Sequence, residues 1–253
     1  MNVGLYSGAA GMRVGEDYQQ LISENLSLQS IPGYKQTFPV FSTDPESSTG
    51  KTPLTASGNP AAITMKRVVD FTQGAIQPSG DPYHVAIEGQ AFFEVREANG
   101  TTSYTRNGAF TLSPKGELRT SDGAAVLGKG GSPITIDTSK AGTVAIGADG
   151  AISLNGVAQS GLGFAHFDNP SASLQSGAYG RFIANNSSNA KSGLAPNDRV
   201  MQGSLEQSNG NPVLQMADMI QAARLYEANS KSVKAVDDTQ NQLITSLGAH
   251  PQG

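Results

Sequence analysis

The sequence predicts a mainly β central domain, an irregular sandwich or barrel, inserted between long N- and C-terminal α-helices that form a coiled-coil-like assembly domain. Three observations predict it. Both ends carry apolar residues at helical spacing, with residues that cap and stop a helix. The middle is a series of short β-favouring runs separated by Gly turns, and no long helical pattern interrupts them, which disfavours a parallel α/β sheet. The expected order is an N-terminal helical assembly segment (1–35), an extended linker or arm (36–75), a β-rich central domain (76–185), a return linker (186–210) and a C-terminal helix (211–248).

From about Tyr6 to Ser30 there is no Pro, and Val14, Tyr18, Leu21, Asn25 and Leu28 recur at alternating spacings of four and three, with Leu5, Met12 and Leu26 on neighbouring rows. Ile31-Pro32-Gly33 ends this helix, because a residue before Pro is pushed out of the helical region and Gly admits a turn. At the other end Asn211 reads as a cap and Pro212 as the first helical residue, where a missing N–H costs nothing. The slots 216, 219, 223, 226, 230, 233, 237, 240, 244 and 247 then follow the three-four alternation of a coiled-coil seam, and Gly248 supplies the stop.

The candidate assembly residues are Leu5, Met12, Tyr18, Leu21, Asn25 and Leu28 in the first helix. In the last they are Met216, Met219, Ile220, Ala223, Tyr226, Asn229, Val233, Ile244 and Leu247. Val213, Val236 and Leu243 widen the stripe, so that each helix can touch more than one neighbour. Asn25 and Asn229 are expected to lie in interfaces and fix register. Ordering a residue costs about 1–2 kcal/mol, so bare stripes are expected to order only against another stripe. The alternative is that both helices pack on their own domain.

The middle offers Tyr83–Gly89, Ala91–Val95, Tyr104–Arg106, Ala109–Leu112, Glu117–Arg119, Ile134–Ile136, Val144–Ile146, Ala151–Leu154 and Gly163–Phe167 as strands. Asn107-Gly108 and Asn155-Gly156 read as hairpin turns, whose central residues need positive φ. Residues 42–64 and 168–200 read as extended or loop-like.

Charged residues are only 15% of the chain, against about 25% in ordinary soluble domains. The surface must therefore be covered largely by Asn, Gln, Ser, Thr and Gly. The net charge of −4 provides no broad positive field for nucleic acid. Cysteine is absent, which excludes disulfides and thiolate chemistry. The start, Met1–Tyr6, has neither a basic segment nor an apolar run, so the expectation is no cleavable signal peptide and no membrane span.

Catalytic chemistry is hard to find. The histidines are His84, His166 and His250, and no spacing suggests a metal site. Asp237-Asp238 are consecutive on a helix and point in different directions, so they form no dyad. Ser79, Asp81, His84 and Glu88 could be imagined as a hydrolytic triad, but no nucleophile-elbow pattern surrounds Ser79. The expectation is no enzyme, cofactor, metal or small-molecule substrate. An exported adhesin or carbohydrate-binding β module is the alternative.

Three blocks resemble the rod and hook family of axial proteins of the bacterial flagellum. The first is Leu5–Met12 with Ile22–Leu26 and Pro32-Gly33-Tyr34-Lys35. The second is Val85–Gly89, Phe92-Phe93, Tyr104–Gly108 and Phe110. The third is Gly203–Asn209, Asn211-Pro212-Val213, Met216, Met219–Ala222, Arg224–Asn229 and Asp237. The resemblance implies a non-catalytic subunit of the basal-body rod, exported unfolded through the flagellar export apparatus and spanning the periplasm. It implies self-association and partners among other axial proteins. The terminal helices would order on assembly into an inner tube, with the β domain as an outer layer of a torque-transmitting shaft. Ser27–Ser30 departs from the family's Ala-Asn-x-x-Thr wording, and the first helix is unusually acidic through Glu16, Asp17 and Glu24.

Overall fold

The computed structural model describes residues 3–42, 64–137, 142–185 and 190–248. The chain forms two compact units. The first comprises Met1–Leu26, Thr37–Val68 and Asn211–Gly253, and the second Ser27–Gln36 and Val69–Gly210.

The first unit is built on helix α1 (Val3–Leu28). Beyond its end, in the second unit, the chain turns at Gly33, where φ is +68° and a Cβ would strike the Arg106 backbone. Only glycine combines that φ with that closeness. Two short strands, Thr37–Ser42 and Thr64–Val69, pair as a ribbon, and the 21 residues between them lie outside the described residues. Asn25 fixes where the ribbon starts. Its amide donates to the Thr37 carbonyl at 2.8 Å and accepts from the Thr37 N–H at 3.0 Å.

The second unit is the β body. Its largest sheet runs in the order Leu174–Ser176, Arg181–Ala184, Thr102–Thr105, Phe92–Arg96, Ala125–Val126, Leu118–Thr120 and Phe110–Leu112. Phe164–His166 adds to the free half of Phe92–Arg96 and also pairs Lys191–Ser192. Phe92 and Phe93 are both buried although consecutive strand residues face opposite ways. The sheet is therefore covered on two sides: Phe93 and Val95 join one cluster with Val85, Phe110, Val126, Ile152 and Phe164, while Phe92 joins another with Tyr104, Phe167, Leu174 and Phe182.

Two loop expectations change. Residues 170–173 form the short helix α2 (Pro170–Ser173), capped by Asn169, and Leu174–Ser176 and Arg181–Ala184 extend the main sheet. Within the expected return linker, Arg199–Gln202 pairs Val85–Glu88 and Ser204–Glu206 pairs Ile76–Pro78. Apolar runs of one to three residues (Leu174, Phe182-Ile183-Ala184, Val200-Met201) in polar sequence suffice, because Leu174, Phe182 and Val200 are each buried by a sheet already made. Gln202 then supplies a side chain where a strand is missing: it donates to the Val144 carbonyl at 2.9 Å and accepts from the Ile146 N–H at 3.0 Å, occupying that sheet edge.

The two Asn-Gly signals part ways. Asn155 and Gly156 have φ of +53° and +80° and make the tight hairpin between Ala151–Leu154 and Val157–Gly161. Gly108 has no positive φ; it is glycine because the Val85 carbonyl fills the place of its Cβ, and the Val85 N–H donates to the Gly108 carbonyl at 3.0 Å.

Candidate assembly surface

Helix α3 (Pro212–Gly248) starts as expected, with the Asn211 side chain accepting from the Val213 and Leu214 N–H groups at 3.0 and 3.4 Å. It lies antiparallel to α1, and three glycines make the contact close. A Cβ on Gly8 would stand 2.5 Å from Val233 Cγ2, and one on Gly11 2.8 Å from Asn229 Nδ2. On Gly15 it would be 3.5 Å from Tyr226 Cβ. The two helices thus cover one another within a single chain.

The covered stripe of α3 is Gln215, Asp218, Met219, Ala222, Tyr226, Asn229, Ser230, Val233, Val236 and Gln240. Of the expected seam slots, 219, 226, 230, 233 and 240 are half-buried and 216, 223 and 237 are exposed, while the covered positions 215, 222, 229 and 236 each lie one residue before a slot of the expected seam. The glycines of α1 set the close part of this contact, since Gly8, Gly11 and Gly15 let Val233, Asn229 and Tyr226 approach.

The sequence-derived residues are distributed as follows. Leu21 and Asn25 are buried; Met12, Tyr18, Leu28, Met219, Tyr226, Asn229 and Val233 are half-buried; and Met216, Ile220 and Ala223 are exposed. The side chains of Leu5, Ile244 and Leu247 lie outside the described residues. Asn25 and Asn229 both face partners in their own subunit, the Thr37 backbone and Gly11. Tyr18 packs edge-on against Phe41, ring centroids 6.2 Å apart, and burial followed by the Asp218 carboxylate pushes its phenol above the ordinary value.

Outside the covered stripe, α3 leaves Val213 72%, Met216 55% and Ile220 56% exposed at spacings of three and four, and Leu214 and Leu225 are exposed as well. The ribbon exposes Phe38, Val40, Phe41 and Val68. Most of the exposed large apolar side chains among the described residues therefore belong to the first unit, as an unfinished surface requires.

Sequence reasoning missed a second cluster, inside the β body. Glu206, Lys35 and Arg106, each almost fully buried, meet in one network. Lys35 Nζ lies 2.6 Å from Glu206 Oε1, and Arg106 Nη1 lies 3.2 Å from Oε2. Lys35 also donates to the Thr72 carbonyl, Gly74 N–H to Glu206, and Arg106 to the Gly89 carbonyl, with its guanidinium 5.0 Å over the Phe92 ring. Burial pushes the Lys35 and Arg106 cations below their ordinary values, and the Glu206 carboxylate pulls both back. Nearby, Asn209 donates to the Asp70 and Thr72 carbonyls and accepts from the Gln36 N–H. The residues of this network come from all three blocks quoted above. The sequence offered no signal for it, since Lys, Arg and Glu are solvated in most places.

The imagined triad is incomplete. His84 Nδ1 lies 2.9 Å from Ser79 Oγ, but Asp81 accepts from the Tyr83 N–H instead of orienting the ring. Among the described residues no three His, Cys, Asp or Glu side chains converge as a metal site needs, and no helix is long and apolar enough to cross a membrane.

Residues 86–154 match the D1 domain of the flagellar hook proteins FlgE/F/G, and residues 201–246 match the C-terminal domain of the flagellar basal-body rod proteins FlgEFG. The flagellar basal-body rod protein FlgF of Caulobacter vibrioides is 30% identical over 98% of this chain and 99% of its own. The chain belongs to the flagellar basal-body rod protein family. FlgF of Escherichia coli is 32% identical, covering 94% of this chain and 96% of its own, and FlgG of Bacillus subtilis is 29% identical, covering 95% and 97%. The C-terminal family match begins in the strand that carries Gln202, includes Glu206 and Asn209, and runs through nearly all of α3.

Proposed function

We propose that this chain is a structural subunit of the flagellar basal-body rod, polymerising through its paired terminal helices into the hollow axial shaft that transmits torque. The observation that carries the reading is the apolar row Val213, Met216 and Ile220, held in the open on a helix whose opposite face is already occupied. A lone folded chain has nothing to cover it, and burying such side chains is worth about 1.5–3 kcal/mol each. Contacts repeated between identical subunits through unlike faces generate a helical tube. The α1–α3 pair is then the coiled-coil-like assembly element, and the β body, an irregular sandwich, is the outer layer.

No chemistry is required of such a subunit, so its action is mechanical and its partners are further copies and other axial proteins. Delivery to the basal body across the periplasm would use the flagellar export apparatus. Family membership leaves the adhesin reading without support. The test is Ile220→Asp, at a position exposed in the single chain. Its circular dichroism and melting should match the parent, while incorporation into basal bodies and swimming are lost; normal incorporation would refute the reading.

A further inference from the structure

The outer faces of unit one carry side chains in matched order. The register of the helix pair is set by Gly8 opposite Val233, Gly11 opposite Asn229 and Gly15 opposite Tyr226. Extended along both helices, it brings Arg13 level with Glu227 and Asp17 level with Arg224. At 100° per residue these four lie on the sides of α1 and α3 that face away from each other. All four are exposed, as is Glu16. Among the described residues, Arg13, Glu16, Asp17 and Arg224 form no ion pair, and Glu227 pairs only with Lys231 on its own helix, at 2.8 Å.

The apolar side chains are ordered in the same way. Thr37 is tied to Asn25 and Phe41 packs on Tyr18, so the ribbon runs back along α1 from Asn25 towards Tyr18. That stretch of α1 is level with residues 216–223 of α3. The exposed Phe38 and Val40 on one side of the unit are therefore at the height of the exposed Met216 and Ile220 on the other.

We infer that a second copy of this chain seats the outer face of its α3 against the α1 face and ribbon of the first, side by side and pointing the same way. Arg224 then meets Asp17 with Glu16 beside it, Glu227 meets Arg13, and Met216 and Ile220 cover Phe38 and Val40. Turning the second copy end for end sets the apolar tier against the charged one. The acidic residues of α1 thus acquire a purpose, the recognition of a basic position on the next subunit. Exposed charge pairs select partner and direction more than they add affinity, and the apolar tier supplies the holding. The contact joins unlike faces, so it repeats from copy to copy. This inference rests on the rod-subunit reading and assigns the faces it uses.

A charge swap in cells that carry the variant as their only copy tests it. Asp17→Arg and Arg224→Asp should each lower incorporation into basal bodies about tenfold, through like charges brought together. The double variant should restore most of it. Unchanged melting of each purified single variant excludes misfolding, since both side chains are exposed. Single variants that incorporate normally, or a double variant no better than the worse single, overturn the pairing. The chain has no cysteine. An Asp17→Cys, Arg224→Cys variant in isolated basal bodies, exposed to copper phenanthroline as oxidant, should therefore give disulfide-linked multimers of this chain. Monomers alone would overturn the proposal. Absence of the parent chain from basal bodies would instead overturn the rod reading itself.

Discussion

Glu206 holds two cations that no water reaches. Removing one partner of a buried ion pair leaves uncompensated charge, and the cost is about 3–5 kcal/mol. Here Glu206→Gln strands both Lys35 and Arg106, whose remaining partners are the carbonyls of Thr72, Ile87 and Gly89. The expected outcome is a loss of that size in urea unfolding of the β body, with α1 and α3 still formed. Glu94 makes the opposite case. Burial raises its pKa above the ordinary 4.5, and it pairs across the strands with Tyr104. A carboxyl with a raised folded pKa contributes stability that is complete below its unfolded value and is lost as pH rises through the folded one. Glu94→Gln should therefore melt like the parent at pH 4 and above it at pH 7. A difference that is the same at both values would exclude ionisation as the cause. The sequence hid both residues for one reason: Lys, Arg and Glu are solvated in most places, and only the fold shows which are not.

At the scale of elements, what is locally encoded was legible. Asn211-Pro212 starts α3 and Pro32-Gly33 lies just beyond α1, because caps and stops act within one turn. Asn155-Gly156 was legible for the same reason. The full set of covered positions was not, because the close approach at Tyr226, Asn229 and Val233 is set by the glycine row of a helix at the other end of the chain. Gly108 and the strands at 199–206 likewise depend on distant backbone. The glycine row makes a prediction of its own. Gly8→Leu puts a side chain where Val233 Cγ2 already stands, and overpacking costs about 1–3 kcal/mol. Adding Val233→Ala vacates part of that space. The pair should be more stable in thermal melts followed at 222 nm than the two single effects sum to, with a coupling of about 1 kcal/mol. Additivity would mean that Gly8 is retained for some reason other than contact with α3.

For the molecule as a whole, the division into two units separates two tasks. The β body buries Val85, Phe93, Val126, Ile152 and Leu162 completely and has a charged network at its core. The helical unit keeps much of its apolar surface outside, so its own packing stabilises it less. Segments with few buried apolar contacts open at lower free energy than the core does. In the isolated chain, amides of α1 and α3 should therefore exchange before those of Phe92–Arg96 and Ala151–Leu154, and the helices should melt first. Ligation by a like subunit stabilises only what it touches. In assembled rods the gain in protection should fall on α1, α3 and the Thr37–Ser42 strand, and leave the strands of the β body as they were. Ile220→Asp should abolish that gain without altering exchange in the isolated chain. Equal protection of both units before assembly would mean that one copy already completes its helical surface, and the apolar row on α3 would then need another explanation.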